Sequence, residues 1–322
     1  MINTELRAVR DLLVKNKDLV KSAFKWEDDM MSLAGSTIFT GLGLTADAEQ
    51  LKECERLLKE HAGALSEFRG HIKLPLLCKM AVSGSPEQYL LHVTEIYGLL
   101  NPSKLGSSGK LLAAIILCDH GDAQRYIEKT NDIFRLMKQA HKWLTSEEDM
   151  PYAAMLAVSG ADAEKLIAEA ERCYPVMKEK FGTSNAEAVQ SLCHLLALNY
   201  QSAEEKCKKV AELYDALKAA KHRFGVGQEL AFLGILTMLD VDTSKIVADI
   251  SEIDDYLKKQ KGFGNLSIGS EMRRMYAAMI VVNAYQAAGK GLQGIDNTLA
   301  IAVSIEVSAI LMMTTLLLIW SI

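Results

Sequence analysis

Residues 152–174 read YAAMLAVSGADAEKLIAEAERCY: a short apolar helix, a break at Ser159-Gly160, then an amphipathic helix that ends on an aromatic. The pattern recurs. Residues 74–97 read LPLLCKMAVSGSPEQYLLHVTEIY, with Ser83-Gly84 in the break, and residues 111–134 read LLAAIILCDHGDAQRYIEKTNDIF, with Gly121 there. Two further copies end at Tyr214 and Tyr256. The closing aromatics Tyr97, Phe134, Tyr174, Tyr214 and Tyr256 are separated by 37, 40, 40 and 42 residues. A weaker copy runs through 37–58, and a last first-helix starts near Met272.

Periods of this length without strand signals indicate paired-helix repeats. One pair cannot bury its apolar faces alone, so neighbours stack and share a core. In the second helix Leu166, Ile167, Ala170, Cys173, Tyr174, Met177 and Phe181 form one stripe at helical spacing. The first helices are apolar nearly all round, as a sandwiched layer requires. The expected fold is all-α: a right-handed α-solenoid of about six to seven helix pairs with a period of 37–42 residues. Its expected organisation is one continuous domain without a linker. Capping helices occupy 1–34, the array 35–288 and a hydrophobic helix 298–322.

Turn chemistry supports the helix boundaries. Ser85, Asp122, Asp162, Ser202 and Thr243 stand where N-cap oxygens are needed. Phe181-Gly182, Phe224-Gly225 and Phe263-Gly264 suggest left-handed glycine caps beside a phenylalanine plug. Trp143 is expected to replace that plug in the junction 141–151, and Trp26 with Met30-Met31 to begin the first packed layer. Pro175 should kink its helix, because it removes a donor from the backbone ladder.

The net charge of −5 arises from interspersed Lys and Glu without a block of one sign, so no nucleic-acid partner is expected. Residues 1–21 are charged and amphipathic, unlike a secretory leader. The six cysteines lack a CxxC pair and fall in helices, which suggests reduced thiols in the cytoplasm.

Residues 299–322 stand apart: 24 residues, 18 of them apolar, with Glu306 the one charge. A helix of that length spans about 36 Å, more than a hydrocarbon core of about 30 Å. Ala300, Ser304 and Ser308 form a small-residue ridge suited to close helix approach in a membrane or a dimer. Two readings stay open: a tail anchor at the cytoplasmic face of a membrane, and a buried terminal helix within the stack or across a homodimer.

The polar string Cys118-Asp119-His120-Gly121-Asp122 is the most enzyme-like feature, and Asp119, His120 and Asp122 are the candidates it offers. It has no partner at metal-ligand or dyad spacing, and a histidine ending a helix already interacts well with the dipole. Cys193 and His194 are adjacent on a helix and point about 100° apart, so they form no dyad. The glycine-rich loop 261–270 lacks the phosphate-loop pattern. No catalytic, cofactor or metal constellation results.

The stretches FKWEDDMMSLAGSTIFT (24–40) and LSEFRGHIKLPLLCKMAV (65–82), with the hydrophobic Ser/Ala-containing tail, resemble a bacterial family known as domain of unknown function number four thousand and three. The resemblance implies an all-helical fold and no assigned activity, and it transfers no catalytic residues. Three functions are therefore carried forward. The first is a non-enzymatic helical scaffold that binds a protein or peptide. The second is the same scaffold tethered through 299–322, and the third is an enzyme of unknown class, for which Asp119, His120 and Asp122 would need polar partners from neighbouring repeats.

Overall fold

The computed structural model describes residues 2–27, 29–63, 66–100, 107–227 and 229–289. Residues 298–322, with Ala300, Ser304 and Ser308, lie outside the described residues. The described chain is all-helical, with fourteen α-helices, three 3-10 turns and no strand. It divides into two compact units, one holding 11–160 and the other 161–289 with residues 2–10.

The helices of the first unit, after α1 (Ile2–Ala23), are α2 (Asp29–Gly41), α3 (Ala48–His61), α4 (Lys73–Val82), α5 (Pro86–Leu99), α6 (Ser108–Cys118), α7 (Ala123–Ala140) and α8 (Met150–Val158). Those of the second are α9 (Ala163–Phe181), α10 (Ala186–Leu196), α11 (Ala203–Ala219), α12 (Leu230–Leu236), α13 (Thr243–Leu257) and α14 (Gly269–Ala287). Even-numbered helices are the apolar ones. Every residue of α8 and of α12 is buried, as are Gly109–Leu117 of α6. Odd-numbered helices bury one stripe, and in α9 it consists of the seven residues from Leu166 to Phe181 read from the sequence. Fully burying one such Leu or Ile contributes roughly 1.5–3 kcal/mol.

Packing follows the same alternation inside each unit. In the first, α2 packs on α4 and α6 on α8, while α3 packs on α5 and α5 on α7. In the second, α10 packs on α12 and α12 on α14, while α9 packs on α11 and α11 on α13. The contact of α2 with α4 is close enough to require a glycine. A Cβ on Gly35 would lie 2.7 Å from Cys78 Sγ.

The Ser-Gly breaks have a clear basis. Ser83 Oγ donates to Met80 O at 2.7 Å and Ser159 Oγ to Leu156 O at 2.6 Å, satisfying carbonyls left over at the helix end. Gly84 (φ 75) and Gly160 (φ 78) then take the left-handed conformation that side chains disfavour. Asp162 and Ser202 cap as expected, and Ser202 forms a full capping box with Glu205.

Other expectations need correction. Ser85 and Asp122 occupy N-cap positions without a side-chain cap bond, and α13 starts one residue early, with Asp242 at the cap and Thr243 inside the helix. Of the three Phe-Gly pairs only Gly182 has positive φ, at 88. Gly225 instead has the Glu229 carboxylate where a Cβ would stand. Pro175, expected to kink its helix, lies inside α9, which continues to Phe181. Trp143 is 91% exposed and Trp26 fully exposed, so neither is a plug or a packed layer. Phe134 and Met137, nine and six residues earlier on the α7 stripe, are buried there, whereas the indole stays outside.

Candidate functional site

Asp119 is the C-cap of α6, and its carboxylate joins three helices. Lys79 of α4 pairs with Oδ2, and the Tyr89 hydroxyl of α5 donates to Oδ1 at 2.9 Å. Cys118 lies beside this clip, with its Sγ 3.6 Å from His92 Nδ1. Burial and the neighbouring Asp119 charge push the Cys118 thiol up to about 12, so it stays protonated near neutrality and is a poor nucleophile. His120 turns edge-on to the Tyr126 ring at 5.8 Å, and Asp122 heads α7. The polar partners sought for Asp119 do come from neighbouring helices, but they tie it into an ion pair and a hydrogen bond. Asp119 is thus directed to α4 and α5, away from the α7 contacts of the other two candidates.

The five closing aromatics share a feature that spacing did not reveal: each carries a cation over its ring. Lys110 lies 4.6 Å from the Tyr97 centroid, Lys138 5.2 Å from Phe134 and Lys178 5.4 Å from Tyr174. Lys180 lies 5.9 Å from Tyr214, and Arg10 3.5 Å from Tyr256. Two of these cations, Lys138 and Lys178, sit four residues beyond their ring on the same helix, one turn on. The helix C-terminus favours positive charge, and a ring face attracts it. Phe68 and Phe181 buttress Tyr97 and Tyr214 edge-on at 5.3 and 5.1 Å.

Buried charge is the other feature the sequence reading passed over. Asp254 is 3% exposed, accepts from Arg273 Nε at 2.6 Å and hydrogen-bonds His222 Nδ1 at 2.8 Å, while Arg274 Nε stands at ion-pair distance only, 3.4 Å. Arg273 also donates to Asn265 Oδ1 at 2.9 Å. Lys206 is fully buried between Glu169 Oε1 at 2.6 Å and Asn199 O at 3.2 Å. Asp249 pairs with Lys245 and accepts from the Tyr285 hydroxyl at 2.7 Å. A usable signal did exist, because Asp249 and Asp254 fall within the apolar stripe of Ile246, Ile250, Ile253 and Leu257.

All six cysteines are free thiols on helices. Cys207 Sγ approaches Cys173 O at 3.9 Å, and burial pushes the Cys193 thiol well up. Among the described residues no three His, Cys, Asp or Glu side chains converge to hold a metal ion. Among them, too, no helix is long and apolar enough to cross a membrane.

These features define an all-helical protein in which buried apolar helices alternate with amphipathic ones whose ends carry aromatic–cation pairs. The family described as "Protein of unknown function (DUF4003)" matches residues 16–312, and the chain belongs to that family. An "Uncharacterized protein YeaA" of Bacillus subtilis (strain 168) is 22% identical over 259 residues, covering 76% of this chain and 75% of that protein. No solved structure matches the chain.

Proposed function

We propose that the chain is a right-handed α-solenoid that serves as a non-enzymatic scaffold in the cytoplasm and binds a protein or peptide. The observation that carries this reading is that, beside the packing of consecutive helices, next-but-one helices also pack: α2 on α4, α6 on α8 and α10 on α12 on α14, with α3, α5 and α7 and then α9, α11 and α13 in the other row. Such stacking buries one layer and leaves the other with a long outward face, the surface that repeat proteins use for extended partners. The odd helices supply that face. The test is selection of a displayed peptide library on the full-length protein. Enrichment of related sequences whose binding is lost on surface substitution in odd helices supports the scaffold. Recovery of unrelated sequences at background level contradicts it.

A second reading, the same scaffold tethered to a membrane, is favoured by the 24-residue apolar run 299–322. Fractionation of the full chain beside a 1–297 truncation separates the two. Membrane pelleting of the full chain alone supports the tether, whereas solubility of both removes it.

A further inference from the structure

In the first unit a groove of about 530 Å³ opens against α7, with Leu99 of α5 and Phe134 in a mostly apolar lining and Arg135, Lys138 and Lys142 around it. Leu99, at the end of α5 beside the concavity, is 51% exposed. Arg135 is already paired with Asp132 at 3.3 Å. The two lysines differ. Lys138 has its ammonium over the Phe134 ring and Lys142 over that of Trp143 at 5.7 Å, and among the described residues neither has a carboxylate within ion-pair distance. Lys138 stands in the last turn of α7 and Lys142 two residues beyond its end, and both line the groove.

The helix dipole accounts for lysines at this end. It does not account for the concavity that both lysines line or for the exposed Leu99 within it. A nucleic-acid backbone would require a longer run of cations than these two, and it would leave the apolar lining unused. We infer that the groove is a docking site for an acidic peptide segment. An apolar side chain of the segment packs on Leu99, above a floor to which the buried Phe134 contributes only an edge, and its flanking carboxylates meet Lys138 and Lys142. This assignment rests on the scaffold reading above and names its partner class. Charge complementarity selects the ligand and sets the encounter rate, while the apolar contact supplies the hold.

The test is a fluorescence-anisotropy titration of the full-length chain with a short fluorescein-labelled peptide that alternates Glu with Leu, beside a counterpart with Lys in place of Glu. The expected result is saturable binding of the Glu peptide alone, weakened about tenfold or more in K138E/K142E and falling with added salt. Leu99→Glu should weaken it as well, whereas Lys165→Glu on α9 should not. Circular dichroism confirms that each variant remains helical. Equal binding of both peptides, equal affinity in K138E/K142E, or no binding of the Glu peptide overturns the assignment. In the last case, library-selected peptides that still bind leave the scaffold standing and remove only the groove, whereas silence in both assays removes both.

Discussion

Arg273 donates to Asp254 at 2.6 Å where each side chain is 3% exposed, and His222 and Arg274 close on the same carboxylate. The arrangement joins α13 to α14 and to the segment that follows α11. Burying these charges is costly, so they persist only because each offsets the other. Removing Asp254 strands the guanidinium of Arg273. Asp254→Ala should lower unfolding stability by about 3–5 kcal/mol in urea titration, and the double variant with Arg273→Met should recover part of that loss.

Gly35 makes a second, purely steric prediction. Its missing Cβ leaves room for Cys78 Sγ, 2.7 Å from where that atom would stand. Gly35→Ala should cost about 1–3 kcal/mol through overpacking. Adding Cys78→Ala makes the room, so the double variant should be more stable than the sum of the single changes predicts.

Alkaline stability follows from the thiols. Burial raises Cys118 from 9.0 to about 12 and Cys54 to about 11. Groups whose folded values are raised contribute stability that is fully present below the unfolded value and is lost as pH climbs through the folded one. Stability should therefore be flat with respect to these thiols below pH 9 and should fall between about pH 9 and 12. Urea midpoints across that range, compared with a Cys118→Ala chain, isolate the Cys118 share, and a chain lacking Cys118 that declines just as steeply would contradict it.

The Ser-Gly breaks give a paired prediction. Gly84 and Gly160 both have φ near +75, so alanine at either should cost about 1–2 kcal/mol, and similar amounts at both sites, because the two turns are copies of one another. Thermal or urea unfolding of each single variant checks it.

Much of this architecture was legible in the sequence because it depends on helical periodicity. The α9 stripe from Leu166 to Phe181 is a one-dimensional pattern, and the structure buries those same residues. The Ser159-Gly160 break was equally visible. What stayed hidden depends on distances between helices. Nothing local in HKWLTSEEDMP tells that Phe134 and Met137 are buried on α7 whereas Trp143 stays exposed. The pairing of Lys79 with Asp119 spans 40 residues, so Asp119 read as a lone acid beside His120. The cations over the five aromatics were hidden in part for the same reason, although the Phe134–Lys138 and Tyr174–Lys178 spacing was in plain view.

The central claim is that the odd helices present a binding face over a buried even layer. Hydrogen–deuterium exchange of the full-length chain, with and without a library-selected peptide, tests it most directly. The account predicts added protection in odd helices, with α5 and α7 foremost for an acidic peptide, and unchanged exchange in the even helices. Protection confined to the even helices, or absent from every helix while the peptide is bound, would contradict it.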